Sequence, residues 1–403
     1  MSESTELPAF PVRREAPFAP PEVYARWRES EPVKKVRIPS GKEAWLLTRH
    51  EDVREMLDKL DVPHLTANRL DPRFPNLRSG VIGKSTDSNL VWMDEPEHGV
   101  MRRMLSPSFT AKKVNTMRPG IQEIVDGVLD RMLEAGPPTD LHQAFSLPIP
   151  SLVICQLLGV PYEDHEIFER LTGTLLSRAT SPDEYSKNLD ELATYLDAKV
   201  TEKAKDPSPD DLIGRLIIEH VRTGELEHRQ VVGLSMLMLV AGHETTANTF
   251  SMGVLHLLVE PDKWEMLRAE PDLVPGAVEE MVRVHSINDL VTLRLAAKDF
   301  EIGGCPVKAG EGIFGLNAAA NHDPDAFPNP GELDPRRGAR NHVGFGYGIH
   351  SCIGQNLARA ELELAFRALL DRVPTLRLDV PVEELSFKHD GFVFGLYGLP
   401  VAW

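Results

Sequence analysis

Residues 345–354 read F-G-Y-G-I-H-S-C-I-G and run directly into Q-N-L-A-R at residues 355–359. Apolar residues then recur at helical spacing as far as Pro374, so Cys352 is predicted to lie at the N-terminal end of a helix. A thiolate in that position meets unpaired backbone N–H groups and the positive end of the helix dipole, which stabilise its charge. The glycines before Cys352 permit a tight turn with positive φ, so the backbone can approach a flat ligand closely. The stretch therefore predicts an anionic sulfur in a preformed loop.

A soft anionic sulfur in such a loop suits a haem iron, but parts of the stretch have other interpretations. A lone intracellular cysteine is more often a small buried apolar residue. A glycine-rich loop before a helix can also hold phosphate, although neither G-x-G-x-x-G nor G-x-x-x-x-G-K-[ST] can be read here. The whole string, F-G-x-G-x-H-x-C-x-G followed by L-A-R, closely resembles the cysteine-ligand loop of the cytochrome P450 family. This resemblance implies that Cys352 ligates the iron of haem b (iron protoporphyrin IX), with Phe345, Gly346 and Gly354 binding the cofactor.

A second motif lies on a predicted helix of some 30 residues, from Glu227 to about Val259. Residues 241–246 read A-G-H-E-T-T, and glycine and threonine in a helix centre each cost roughly 0.5–1 kcal/mol relative to better helix formers. The stretch resembles the acid–alcohol pair of the P450 family. It implies that Ala241 lies at the haem and that Glu244 and Thr245 deliver protons to dioxygen. His243 is expected to be a core or solvated histidine, because a metal ligand there would block oxygen.

Two further elements match the family. Glu280 and Arg283 lie on one helix face and resemble the family's E-x-x-R pair, which braces the core on the haem side. The usual third partner is an arginine in a segment ending in phenylalanine, but P-G-E-L at residues 330–333 has neither residue. Arg337 is the substitute expected here.

Haem carries two propionates, and desolvated carboxylates need cationic donors. His98 and Arg102, spaced i and i+4, match the family's H-x-x-x-R. Arg294, on a predicted strand, and His350, two residues before Cys352, are similarly placed. The resemblance implies that all four bind the cofactor, whereas for any one of them alone a surface ion pair would be the better interpretation.

The substrate pocket is expected beside a long interrupted segment, Asp61 to Met93, which shows no sustained periodicity and suits a lid or binding loop. The resemblance implies pocket walls that include Leu90, Val240, Ile287, Asn288, Val291 and Phe392. Such residues are also ordinary core residues. Their mixture of apolar and polar side chains suits a mid-sized lipophilic substrate with a few oxygens.

Composition limits the partners of the chain. Its 403 residues carry a formal net charge of −17, which disfavours nucleic acid and anionic membrane surfaces. Three cysteines, Cys155, Cys305 and Cys352, are odd in number and far apart, which argues against a disulfide framework and for a reducing compartment. No apolar run reaches the length of a signal peptide or membrane span. A cytoplasmic location without membrane attachment is therefore expected.

The resemblance covers essentially the whole chain and implies one cytochrome P450 domain over residues 1–403. That fold is mainly α-helical and prism-shaped, with a long central helix over the haem and a smaller β-rich part. The β-rich parts are expected at roughly 31–50, 291–316 and 376–403, and residues 33–38 and 43–48 predict a hairpin. Besides 227–259, periodicity and capping signals predict helices at 21–30, 51–60, 151–158, 164–177, 184–205, 211–221, 262–268 and 275–285, and along the apolar stripe from 114 to 132.

The resemblance is closest to soluble actinobacterial hydroxylases of macrolides, polyketides, terpenoids and sterol-like molecules. It implies that one oxygen atom of O₂ enters a C–H bond while the other leaves as water. The chain has no flavin fingerprint or iron–sulfur cysteine spacing, so a ferredoxin and its NAD(P)H-dependent reductase are expected to supply electrons. A basic cluster, Arg336, Arg337, Arg340 and Arg359, is the predicted docking surface for an acidic ferredoxin.

Other functions remain open. A nitric oxide reductase or a peroxygenase could use the same fold, but neither requires staged proton delivery to bound O₂. The acid–alcohol pair therefore counts against both. A non-catalytic haem sensor or carrier is the alternative from a different class of protein.

Overall fold

Capping residues set the ends of the main helices. The computed structural model describes residues 6–60, 64–78 and 89–403. The side-chain oxygen of Thr110 accepts a hydrogen bond from the backbone N–H of Lys113 at 3.2 Å, where a 25-residue helix begins. Ser181 caps another helix in the same way, and Pro182 occupies its first position, where no backbone donor is needed.

The described helices are α1 Glu22–Ser30, α2 His50–Glu55, α3 Glu97–Leu105, α4 Ala111–Ala135, α5 Pro148–Leu158, α6 His165–Leu176, α7 Pro182–Lys203, α8 Leu212–Leu216, α9 His228–Gly242, α10 Glu244–Val259, α11 Pro261–Ala269, α12 Val274–His285, α13 Asn317–Asn321 and α14 Gln355–Arg372. The described strands are β1 Val33–Arg37, β2 Glu43–Leu47, β3 Leu65–Thr66, β4 Thr139–Asp140, β5 Leu293–Ala296, β6 Phe300–Ile302, β7 Cys305–Val307, β8 Gly312–Gly315, β9 Arg377–Leu378 and β10 Pro400–Ala402. The mainly helical fold class is confirmed.

Among the described residues, three small sheets accompany the helices. The largest has the strand order β1-β2-β8-β5-β3, in which β2 and β8 run parallel and the other neighbours antiparallel. The predicted hairpin is confirmed, because β1 pairs with β2 from Val33 opposite Leu47 to Arg37 opposite Glu43. The strands β4, β10 and β9 form a second sheet, and β6 and β7 form a hairpin that periodicity did not predict.

The helical core is one continuous apolar cluster to which α4, α5, α9, α10, α12 and α14 contribute. Aromatic rings join three of its layers, with Phe250 of α10 4.4 Å from Phe366 of α14 and 5.4 Å from Phe145, measured between ring centroids. The apolar stripe of α4 faces this cluster through Val114, Ile121 and Val125. The helix that carries the acid–alcohol motif and the helix that follows the cysteine loop therefore share one core.

The prediction of a single uninterrupted helix from 227 to 259 is wrong. Helix α9 ends at Gly242 and α10 begins at Glu244, with His243 between them at φ −107° and ψ −51°. Two side chains compete for the carbonyls that a regular helix would use. The ring Nδ1 of His243 donates to the carbonyl oxygen of Leu239 at 2.7 Å, and the Thr245 hydroxyl donates to that of Ala241 at 2.8 Å. His243 itself is a fully buried core residue, one of the two expected environments.

Two other expectations need correction. Within residues 376–403 only β9 and β10 form strands, while most of the stretch is turns anchored by side-chain hydrogen bonds, so the expected β-rich part is too broad. The expected loop from Asp61 to Met93 contains the short strand β3 and a helical turn at Leu90–Trp92. Positions 61–63 and 79–88 of that loop lie outside the described residues.

The side chains of Glu280 and Arg283 form an ion pair that is completely removed from solvent. Arg283 Nε lies 2.7 Å from Glu280 Oε1, and its Nη2 lies 2.8 Å from Oε2. The remaining guanidinium donors reach the carbonyl oxygens of Asn321, Pro330 and Glu332. Arg337 supplies the third member, with its Nε 3.0 Å from Glu280 Oε2. Every charge of the pair is thus hydrogen-bonded, as burial demands.

We expect Arg283→Ala to lower the free energy of unfolding by about 3–5 kcal/mol, because the buried Glu280 carboxylate would lose its main counter-charge. The matched control is Arg336→Ala, since Arg336 pairs with Glu270 on the surface and both side chains are about half exposed. That change should cost at most about 1 kcal/mol. Urea unfolding followed by circular dichroism measures both. Equal losses in the two variants would contradict this account.

Candidate functional site

The loop before α14 turns back on itself so that Cys352 meets Phe345. The backbone N–H of Cys352 donates to the Phe345 carbonyl oxygen at 2.8 Å, and a short helical turn spans Gly348–His350. Gly346 and Gly348 have φ values of 69° and 66°, which glycine adopts without strain. A Cβ at Gly348 would also lie 2.0 Å from the carbonyl oxygen of Leu57. The glycines expected from the motif are therefore required by backbone geometry.

The Cys352 side chain is exposed, unlike that of Cys155, which is buried in the core. Burial by surrounding protein nevertheless raises the pKa of the Cys352 thiol, and the backbone N–H of Gly354 and the charge of Arg102 act in the opposite direction. The sulfur is therefore accessible from a space that protein surrounds. The thiol can therefore contact a ligand that enters this space.

Four cationic or titratable side chains from three separate segments of the sequence gather at the loop. Arg102 Nη2 donates to the Ser351 carbonyl oxygen at 2.6 Å, and the rings of His98 and His350 are 4.2 Å apart. The pKa of His350 is lowered to about 2 by burial and by the positive charges of Arg294, His98 and Arg102. His350 is therefore neutral at pH 7. This arrangement brings together all four side chains that were predicted to bind propionates.

Glu244 lies at the start of α10 in a buried polar network. Its Oε2 accepts hydrogen bonds from Lys388 Nζ at 3.0 Å and from Asn248 Nδ2 at 2.7 Å. Burial raises the pKa of Glu244, but the charge of Lys388 and its hydrogen bond outweigh this effect, so the pKa lies below its ordinary value. Glu244 is therefore an ionised buried carboxylate that a single lysine connects to the molecular surface.

Sequence reasoning missed both partners of Glu244. Asn248 follows it by four residues on the same helix, and this spacing could have indicated the contact. Lys388 follows by 144 residues, within turns at the C-terminal end, and carried no signal of its own. Gly395 did carry a signal of this contact. A Cβ at that position would lie 1.9 Å from Asn248 Oδ1, so glycine is needed there. That glycine allows the backbone beside Lys388 to approach α10.

Side chains brace both ends of the cysteine loop. Arg359, on the first turns of α14, is paired with Glu279 of α12, and Glu279 also lies 3.0 Å from His342 Nε2. Asn288 donates its side-chain amide to the carbonyl oxygen of Gly344 at 3.0 Å. Asn288, predicted as a pocket residue, thus holds the loop backbone.

Three of the four arginines in the predicted basic cluster are engaged with carboxylates. Arg336 pairs with Glu270, Arg337 with Glu280 and Arg359 with Glu279. Arg340 is exposed. The cluster is therefore less available to a partner than its sequence indicates.

The other predicted pocket residues differ in their surroundings. Leu90 and Ile287 are buried, whereas Val240, Val291 and Phe392 are half-buried. Ala241 is exposed although α9 runs through the core, which indicates open space beside the break between α9 and α10.

The donor set fits a haem. An accessible cysteine sulfur suits a haem iron, two arginines and two histidines suit a pair of carboxylates, and small Ala241 leaves room beside the helix break. No group of three or more His, Cys, Asp or Glu within the described ranges could hold a separate metal ion.

Comparison with known proteins agrees with this reading. A family model described as cytochrome P450 matches residues 174–384, more than half of the chain. The chain is 42% identical over 404 residues to vitamin D3 dihydroxylase from Streptomyces griseolus, an alignment that covers 100% of this chain and 98% of that protein. The chain belongs to the cytochrome P450 family. This P450 is also 44% identical over 396 residues to pentalenic acid synthase from Streptomyces avermitilis, covering 98% of this chain and 97% of that one.

The crystal structure of mycinamicin VIII C21 methyl hydroxylase from Micromonospora griseorubida superposes with a TM-score of 0.93 at 39% identity. It covers 98% of this P450 and 100% of that chain. The predicted family, fold and enzyme class are thereby confirmed: the protein is a haem-iron monooxygenase that uses O₂ and a small-molecule substrate. In the described parts of the chain, every helix is too short or too polar to cross a bilayer.

We expect Lys388→Met to lower the free energy of unfolding by roughly 2–4 kcal/mol at neutral pH, because the buried Glu244 carboxylate would lose its cation. The pKa of Glu244 is depressed in the folded protein, so its stabilising contribution is present above the ordinary carboxylate pKa and is lost as the pH falls. The difference between wild type and variant should therefore shrink on acidification. Thermal unfolding measured across a pH series tests this.

The double variant Glu244→Gln/Lys388→Met serves as the control, because it removes both charges. It should recover a substantial part of the lost stability. A loss that is independent of pH, or equal in the single and double variants, would show that Lys388 acts only through packing.

Proposed function

We propose that this P450 acts as one domain over residues 1–403 and uses haem b to hydroxylate a C–H bond of a mid-sized lipophilic substrate, such as a polyketide, macrolide, terpenoid or sterol-like molecule. The names of its relatives support this substrate class, since they specify vitamin D3, mycinamicin VIII and pentalenic acid. The observation that carries the proposal is the accessible sulfur of Cys352 at the start of α14, with Arg102 beside it.

Cys352 is the proposed iron ligand. When bound, the haem supplies an iron that activates O₂, and the thiolate donates electron density that favours cleavage of the O–O bond. Burial raises the pKa of the thiol, and the N–H groups of Gly354 and Gln355 oppose this rise in favour of the thiolate. The Arg359 guanidinium lies 4.5 Å from the ring centroid of Phe345. Phe345 closes one side of the loop, next to Gly346.

Arg102 and Arg294 are the proposed partners of the two propionates, one positive charge for each carboxylate. His98 and His350 contribute ring N–H donors. The lowered pKa of His350 supports this role, because a neutral ring donates a hydrogen bond without adding a third positive charge. The site then holds the cofactor with balanced charge.

Thr245 and Glu244 are the proposed members of a proton relay beside Ala241. The Thr245 hydroxyl donates to the Ala241 carbonyl oxygen, and rotation about χ1 would turn its proton towards the haem side. Glu244 stays ionised through Lys388, so it can take a proton from water near the lysine and pass it inwards. Each hydroxylation consumes two electrons and two protons to form one water, which makes this supply essential.

Electrons are proposed to come from a ferredoxin and its NAD(P)H-dependent reductase. Arg336, Arg337 and Arg359 pair with the protein's own carboxylates, so exposed Arg340, Arg103, Lys112 and Lys113 are the better candidates for contact with an acidic partner. The contact between Arg102 and Ser351 links the helix that carries Arg103 to the cysteine loop.

We expect Thr245→Ala to uncouple the enzyme, because a methyl group cannot pass a proton. NADPH oxidation should continue while the fraction of electrons recovered in product falls by about tenfold or more, with hydrogen peroxide formed instead. The matched control is Thr249→Ala, one helical turn further on, where the hydroxyl donates to the Thr245 carbonyl oxygen. Product, NADPH and peroxide are measured with a lipophilic compound that perturbs the haem spectrum.

Three outcomes would contradict the proposed function. Absence of O₂-dependent NADPH oxidation with every bound compound would favour a sensor or carrier. Undiminished coupling in Thr245→Ala would exclude Thr245 from proton delivery. Retention of the thiolate-type carbon monoxide spectrum in Cys352→Ala would exclude Cys352 as the ligand.

We expect Arg340→Glu to slow reduction by an acidic ferredoxin several-fold at low salt and to weaken the dependence of the rate on salt. The control is Lys308→Glu, on the turn after β7, where the lysine pairs with Asp299. Stopped-flow reduction kinetics across a salt series provide the measurement. Equal effects of the two substitutions would exclude Arg340 from the docking surface.

A further inference from the structure

Glu279, in the middle of α12, is a buried carboxylate that binds two side chains of the region around Cys352. Two nitrogens of Arg359 contact it: Nε donates to Oε1, and Nη2 donates to Oε2 at 3.1 Å. His342 Nε2 lies 3.0 Å from the same Oε2. Burial alone would raise the pKa of Glu279, but the hydrogen bonds from His342 and Arg359 lower it to about 2. Glu279 is therefore ionised at pH 7.

The histidine of this network is neutral, because its two ring nitrogens have different hydrogen-bonding roles. The backbone N–H of Gly344 donates to His342 Nδ1 at 3.0 Å, so Nδ1 carries no proton. The ring proton must then lie on Nε2, which donates it to Glu279. Within the described ranges, Arg359 is therefore the only cation paired with Glu279, and the network of three side chains has no net charge.

The same contacts hold the Arg359 guanidinium in one position beside the cysteine loop. Its third nitrogen, Nη1, donates to Gln355 Oε1 at 2.9 Å, and the guanidinium lies 4.5 Å from the Phe345 ring centroid. The carbonyl oxygen of Phe345 in turn accepts the backbone N–H of Cys352. Burial raises the pKa of the Cys352 thiol, and the charges of Arg102 and Arg359 act against that rise. Arg359 is thus close enough to influence the sulfur, while all three of its nitrogens are bound elsewhere.

The strength of this positive charge matters for the proposed chemistry. A thiolate ligand favours cleavage of the O–O bond by donating electron density to the iron, and a nearby cation withdraws part of that density. A cation also favours ferrous over ferric haem, because ferric iron carries one more positive charge. A guanidinium paired with a carboxylate has both effects only weakly, because the two charges oppose each other.

We infer that Glu279 is a positioning residue for the haem thiolate: by holding Arg359 and offsetting its charge, it preserves electron donation from Cys352 and keeps the reduction potential of the bound iron low. This inference deepens the proposed function and rests on it, because it requires Cys352 as the iron ligand. Two neighbouring carboxylates of α12 then have different roles. Glu280 supports the fold through Arg283, and Glu279 acts on the iron through Arg359.

Redox titration of the haem-loaded protein with mediator dyes, without ferredoxin or substrate, tests this at about pH 8, where a carboxylate stays ionised. In Glu279→Gln, the ratio of ferrous to ferric haem at a fixed solution potential should rise about threefold or more, because Arg359 loses its counter-charge. In Arg359→Gln, the ratio should fall by a similar factor, because the Glu279 carboxylate is left unopposed. The double variant should return close to the wild-type ratio.

Glu270→Gln is the matched control, because it removes one carboxylate from the half-exposed pair that Glu270 forms with Arg336. It should leave the ratio unchanged. Arg359→Lys keeps the positive charge and should lie closer to wild type than Arg359→Gln does. These two variants of Arg359 decide the question where Glu279→Gln does not retain haem.

A purely structural brace predicts a different pattern, because loosening the loop shifts the potential in the same direction whichever partner is removed. The inference is overturned if Glu279→Gln leaves the ratio unchanged or lowers it, or if Glu279→Gln and Arg359→Gln shift it in the same direction. It is also overturned if Arg359→Lys and Arg359→Gln shift it equally.

The same samples separate this inference from the proposed function. If the two single variants shift the ratio in opposite directions but no bound lipophilic compound is oxidised with NADPH and a ferredoxin system, the role of Glu279 stands and the proposed hydroxylation fails. If wild type hydroxylates such a compound and every variant keeps the wild-type ratio, the proposed hydroxylation stands and the role of Glu279 fails.

Discussion

The site depends on a sulfur that must be both accessible to a ligand and stable as an anion. Burial raises the pKa of the Cys352 thiol, and the N–H groups of Gly354 and Gln355, where α14 begins, act against that rise together with the charges of Arg102 and Arg359. This works only if the loop cannot relax. The Cys352 N–H bond to Phe345 closes it, and the Arg359–Glu279 pair ties its helix to α12. The packing of α12, α14 and the cysteine loop is therefore a condition for the chemistry.

The break between α9 and α10 is stabilised by the protein's own side chains. His243 donates to Leu239 through Nδ1, and its Nε2 lies 2.9 Å from the hydroxyl of Thr172 on α6. Burial lowers the pKa of His243, so the ring is neutral and both contacts can form at once. The hydrogen bonds of His243 thus offset the low helix propensity of the glycine and threonine residues in the motif. It also connects α6, beside the predicted pocket, to the turn that bears Glu244.

Contacts between residues that are close together in the sequence could be predicted from the sequence. Glycines around Cys352, the spacing of His98 and Arg102, and the spacing of Glu280 and Arg283 each express a contact within one turn or one loop. Lys388 could not be predicted, because its partner lies 144 residues away and nothing local requires a cation there. The helix break at His243 was missed for a related reason: the apolar period continues through it, and the side-chain hydrogen bonds that interrupt the helix have no periodic signature.

Charged groups are distributed unevenly between the interior of the protein and the chain as a whole. The chain carries a net charge of −17, yet the surroundings of Cys352 are enriched in arginine. Elsewhere in the core, one carboxylate takes two cationic partners, as Glu280 does with Arg283 and Arg337. Near Cys352, the positive charges of Arg102 and Arg359 act on the thiol and favour its ionised form. A thiolate buried in a chain of net charge −17 therefore depends on cations placed close to it, because the attraction between buried charges is strong at short distance and little screened by salt.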